Sequence, residues 1–112
     1  MNLEDTFQQA TEVAREFNLN LVELDRTNNT LSLRLYIDKE LFFHIYTNEA
    51  KGKLSLALIF KGERLYGHDA EGGQYHLHPF GDPDKHIFTG TVKPIREFVL
   101  ESLKYLDEEN LL

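Results

Sequence analysis

Leu31, Leu33, Leu35 and Ile37 alternate with Ser32, Arg34 and Tyr36. A period of two is the pattern of a strand with one face buried. The same reading extends along the chain. Leu41 to Tyr46 is apolar on both faces and suits a central strand, and Leu54, Leu56, Leu58 and Phe60 line one face opposite Ser55 and Ala57. Shorter strands fit Leu21 to Asp25, Glu63 to His68 and Tyr75 to His78. Turn signals separate them at Thr27-Asn28-Asn29, Asp38-Lys39, Asn48 to Gly52, Lys61-Gly62 and Gly72-Gly73. Turns roughly every ten residues predict an antiparallel β-meander of five or six strands.

Helices flank this region. Leu3, Phe7, Ala10, Ala14 and Phe17 recur at helical spacing, with Asn2 placed to cap the start and an end expected near Asn18. A second helix begins near Pro94 and buries Ile95, Phe98, Val99, Ser102 and Leu106 before the acidic Asp107-Glu108-Glu109-Asn110. Pro79 and Pro83 predict an irregular segment over 79–93, anchored by Phe80, Ile87 and Phe88. The expected fold is α+β, a single domain over 1–112 with both helices packed on one face of the sheet.

Composition narrows the functions open to such a domain. No apolar run is long enough for a transmembrane helix, and Met1-Asn2-Leu3-Glu4-Asp5 lacks the basic and apolar regions of a secretory signal. There is no cysteine, which removes disulfides and thiolate catalysis and fits a cytoplasmic location. The net charge is −7, from 19 acids against 12 bases, a poor balance for general nucleic-acid binding. No phosphate loop, dinucleotide fingerprint, EF-hand or serine-based triad occurs.

Chemistry concentrates between Gly67 and His86, which hold four of the five histidines. His76 and His78 are two apart in a strand, so they project from one face with Cα atoms about 7 Å apart. Three uses fit these residues. His76 and His78 supply two metal ligands, with His86 folding back as a third and Asp69, Asp82 or Asp84 near in sequence, which would make a divalent-metal hydrolase. Alternatively, two imidazoles act as acid and base on a phosphodiester, one taking a 2′-hydroxyl proton, with Lys85, Arg64 or Lys93 stabilising charge on phosphorus. Finally, the stretch is simply polar turn and loop, with the chain serving as a non-catalytic protein-interaction module through its sheet face or through Phe80 and Phe88. Tyr66 and Tyr75 flank the cluster closely enough to line a substrate pocket, whereas His44, between Phe43 and Ile45, reads as a structural histidine.

The meander, then Arg64-Leu65-Tyr66-Gly67-His68-Asp69, His76-Leu77-His78-Pro79-Phe80 and Lys85-His86, followed by an amphipathic helix, resembles the TumE-like toxin family over roughly residues 30–107. Where members of that family cluster adjacent histidines before the Lys-His pair, this chain has Gly81-Asp82-Pro83-Asp84. The resemblance implies a cytoplasmic toxin component acting on RNA, with an antitoxin partner bearing a helix-turn-helix domain. Combined with the residue chemistry, it makes His76 and His78 the acid–base pair, His86 a third member, Asp69 an orienting carboxylate and Lys85 the phosphate-charge stabiliser. Exposed meander edges also invite a homodimer.

Overall fold

A computed structural model describes residues 2–82, 84–90 and 93–112. Met1 and Pro83, the latter read above as a strand breaker, lie outside the described residues. The elements run α1 (Leu3–Glu16), β1 (Asn20–Arg26), β2 (Thr30–Asp38), β3 (Leu41–Asn48), β4 (Lys53–Phe60), β5 (Glu63–Glu71), β6 (Gln74–His78), β7 (Ile87–Thr89) and α2 (Ile95–Glu108). All seven strands form one antiparallel sheet in sequence order, so the α+β meander is as expected. It has one strand more than anticipated. The extra strand, β7, lies inside the segment read as irregular and pairs Ile87 with Leu77 and Phe88 with His76.

The helices start and stop for local reasons. Asn2 accepts a hydrogen bond from the Asp5 amide at 2.8 Å, capping α1. Its other end turns through Asn18, whose φ of 57° is left-handed, and the Leu19 amide reaches back to the Ala14 carbonyl at 2.8 Å. Asn110 and Leu111 repeat this ending on α2, with Leu111 donating to Leu106 at 2.8 Å. Gly72 and Gly73 both have positive φ and make the two-residue turn that joins β5 to β6. The β2–β3 turn falls one residue later than read from the sequence, at Lys39-Glu40, because Asp38 remains paired with Leu41 and its carboxylate accepts the Glu40 amide at 2.9 Å.

Both helices cover the same face of the sheet. Leu33, Leu35, Phe43, Ile45, Leu56 and Leu58 are buried there against Ala10, Val13 and Ala14 of α1 and Ile95, Phe98 and Val99 of α2. Burial of each leucine contributes about 1.5–3 kcal/mol, so this layer holds the sheet flat against the helices. No helix among the described residues is long and apolar enough to cross a membrane. The opposite, open face of the sheet carries the site.

Candidate active site

The Gly72-Gly73 turn sets the register that assembles the site. It places Asp69 opposite His76 and Gly67 opposite His78, while β7 adds Phe88 beside His76. Alternation then sends Asp69, His76, His78 and Phe88 to the open face. Ser55, across from Asp69 on β4, joins them.

These side chains form a connected chain. Ser55 Oγ donates to Asp69 Oδ1 at 2.8 Å, and Asp69 Oδ2 lies 2.9 Å from His78 Nε2. A carboxylate accepts, so in the neutral ring this contact places the proton on Nε2 and the lone pair on Nδ1. The His86 ring stands edge-on to His78 with centroids 4.4 Å apart, and His76 is 5.9 Å from His86. His76 also meets the edge of Phe88 at 4.7 Å.

Burial separates the three histidines. His78 is only 2% exposed, so its ring is closed off from solvent. His76 is half-buried and His86 exposed, making them the accessible pair. The sequence reading placed acid–base work on His76 and His78; by exposure, the open pair in the structure is His76 and His86. Asp69, read from the sequence as an orienting carboxylate, is the group that contacts the His78 ring.

Arg64 reaches the site through an irregularity. In β5, Tyr66 pairs with Leu58 and Arg64 with Ile59, so Leu65 is an extra, bulged residue. The bulge turns Arg64 to the open face, while Tyr66 faces the core. The Arg64 side chain then crosses Gly67. A Cβ on that glycine would lie 3.1 Å from Arg64 Cδ, 3.3 Å from the Leu56 carbonyl oxygen and 3.4 Å from His78 Cβ. Gly67 is a mid-strand residue that lets Arg64 lie beside His78. Arg64, Ser55, Ala57, His44 and Asp84 line a depression of about 630 Å³. A second depression, of about 400 Å³, touches Asp69, His76, Lys53 and Gln74.

Other expected participants are elsewhere. Tyr66 is 4% exposed on the helix-covered face, stacked between Phe80 at 3.9 Å and Phe98 at 4.8 Å. Its hydroxyl donates to Glu101 at 3.0 Å, and burial, then the Glu101 charge, pushes the phenol far above its ordinary range. Tyr75 faces the same side, beside Thr47, Leu54 and Ala70. Neither tyrosine can line a pocket with His76, since alternation puts them through the sheet from it. His68 also points to the helices, and burial, followed by the nearby Lys93 charge, lowers its pKa. Lys93 is paired with Glu101 at 2.5 Å on that side. Lys85 is exposed, and among the described residues its side chain makes no ion pair or hydrogen bond, so nothing ties it to the histidines. Phe80, proposed above as a docking residue, is inside a stack with Tyr66 and, at 3.8 Å, Tyr105.

Among the described residues, no three histidine, aspartate or glutamate side chains are grouped to hold a metal ion. The His86 ring meets His78 at a steep 74° and His76 at a tilt of 42°. Ser55 and Gly67 were missed as site residues, and Phe88 was read as a docking residue and not as a neighbour of His76. Ser55 was legible as the polar position opposite a leucine face, but its partner depends on long-range register. The chain matches no family model, no curated protein and no solved structure.

Proposed function

We propose that this protein cleaves RNA by metal-free acid–base chemistry and acts as a TumE-like toxin component of a toxin–antitoxin pair. The observation that carries the reading is the Ser55–Asp69–His78 chain, which ends edge-on against His86 at 4.4 Å with His76 alongside. One accessible imidazole takes the proton of a ribose 2′-hydroxyl as its oxygen attacks phosphorus. The other, protonated, gives its proton to the departing 5′-oxygen. The products are a 2′,3′-cyclic phosphate and a 5′-hydroxyl, and both imidazoles are restored by the reverse transfers when the cyclic ester is opened by water. Arg64 stabilises the charge that develops on the phosphoryl oxygens. Phe88, 71% exposed beside His76, offers a ring on which a base stacks.

A labelled single-stranded RNA assay tests this. Wild type is expected to release cyclic-phosphate ends in the presence of chelator, and His76→Ala or His86→Ala to lose about 10²–10⁴-fold in rate while remaining folded. A 2′-deoxy substitution at the cleaved position should block the reaction. Full activity in the His76→Ala/His86→Ala double variant would refute the mechanism. Growth arrest on induction of wild type, relieved by that double variant or by an adjacent helix-turn-helix antitoxin, tests the toxin role.

The exposed Phe88 on an edge strand favours one alternative, an interaction module. In that case Phe88→Ala would weaken partner capture while the histidine substitutions leave it unchanged.

A further inference from the structure

A row of paired residues crosses the open face from β2 to β6: Arg34, His44, Ala57, Gly67 and His78. Ala57 gives the row a low middle, next to Gly67, which the Arg64 side chain crosses. The near end is the site already described. The far end is Arg34, whose environment is unusual.

The Arg34 guanidinium lies 4.5 Å over the Phe42 ring, and its Nη1 donates to the Tyr36 hydroxyl at 2.9 Å. Its Nε is buried with no hydrogen-bond acceptor. No carboxylate among the described residues pairs with it, whereas Arg26 is held by Glu4 and Glu23 and Arg96 by Glu16. An orphan buried donor is costly, and because Nε itself is closed to solvent, an arriving anion would meet the Nη2 edge of the guanidinium, which makes no hydrogen bond among the described residues. Beside it, His44 Nε2 lies 3.0 Å from Ser32 Oγ, and burial, then the Arg34 charge, lowers the imidazole pKa. Neutral His44 therefore does not answer the need for an anion or add to the local positive charge.

Glu63 and Asp84 line the depression beside Arg64, but much of the chain's negative charge lies on the far side of the sheet. Each helix carries four acids, against one base in α1 and two in α2, so five of the seven net negative charges sit in the helical layer on the other side of the sheet. Arg34 and Arg64 are three strands apart, about 14 Å at the usual strand spacing. That distance suits roughly two or three nucleotides of extended single strand, with the Phe42 and Tyr46 rings on the same face.

We infer that Arg34 is a second phosphate subsite and that single-stranded RNA crosses the strands from Arg64 to Arg34 over Ala57. The inference rests on the ribonuclease reading for its ligand, and the test separates the two. A fluorescein-labelled 2′-deoxy hexanucleotide, which binds without being cleaved, is titrated by anisotropy over a series of salt concentrations. Arg34→Gln is expected to bind about tenfold more weakly, with the salt dependence of log K shallower by about 0.7, the loss of one single-strand phosphate contact. Arg34→Lys should keep the wild-type slope. Arg34→Met, which retains the aliphatic stem over Phe42, replaces Arg34→Gln should thermal melting show that variant unfolded. An unchanged affinity and slope in the folded variant would overturn the subsite, as would a wild type that binds no strand. Cleavage of the matching RNA hexamer is read in parallel. A wild type that binds the deoxy strand in an Arg34-dependent way but leaves RNA intact overturns the ribonuclease reading and sustains the subsite.

Discussion

Replacing Asp69 with alanine should cost the fold about 1–3 kcal/mol, and the reason lies in what is left behind. Asp69 accepts from Ser55 at 2.8 Å and faces His78 Nε2 at 2.9 Å. Ser55 is half-buried and can turn toward water, so its loss is minor. His78 is 2% exposed, and an orphaned buried donor costs about 1–3 kcal/mol. Adding a few tenths for Ser55 gives the total. Against a usual stability of about 5–15 kcal/mol the variant still folds. Urea unfolding measures it: with a slope of about 1–3 kcal/mol per molar, the midpoint drops by roughly 1 M. Ser55→Ala alone should cost about 0.5–1 kcal/mol, and Asp69→Asn, which keeps an acceptor for His78, about 1 kcal/mol. If Asp69→Ala moves the midpoint no further than Ser55→Ala does, His78 is not held by this carboxylate, and the orienting role read for Asp69 fails.

Phe80→Ala removes the ring between Tyr66 and Tyr105 and should destabilise by about 3–5 kcal/mol, a loss visible as a large fall in melting temperature. Gly67→Ala forces a Cβ to within 3.3 Å of the unyielding Leu56 carbonyl and 3.1 Å of Arg64; it should cost about 1–3 kcal/mol and depress RNA cleavage beyond that loss, because Arg64 must move. His44 and His68 both titrate below the ordinary histidine value when folded, so the unfolded chain binds more protons as the medium becomes acidic. Stability should thus be greatest above about pH 6.5 and fall as the pH drops through that value toward the lower folded pKa values; a urea midpoint equal at pH 7.5 and pH 5.5 would contradict this, and His68→Gln should flatten the slope.

The meander and both helix faces were legible because they rest on local periodicity. Leucines at every second position from 31 to 35 and from 54 to 58 define the buried face without reference to any partner. The Gly72-Gly73 turn likewise made the β5–β6 hairpin readable, and with it the shared face of His76 and His78. Proximity in sequence misled where the two faces of one hairpin diverge. His68, Tyr66 and Tyr75 are close to the cluster along the chain yet project through the sheet by simple alternation, whereas Arg64 joins the open face because Leu65 is an extra residue that periodicity alone does not reveal. β7 was hidden because three residues between prolines and loop carry no pattern of their own. Its pairing with β6 delivers His86 and Phe88 to the site.

That last strand has a consequence for how the molecule breathes. Every strand pairs with its sequence neighbour, so the sheet can zip up one hairpin at a time, and β7 closes it with only three residue pairings to β6. Edges this short open with far less free energy than the whole domain. Amide hydrogen exchange at Ile87 and Phe88 should therefore outpace that of β3 and β4 by orders of magnitude. Each such opening lifts His86 away and admits water to His78 while the core stays folded. The buried end of the Ser55–Asp69–His78 chain is thus sealed by the least secured strand of the sheet.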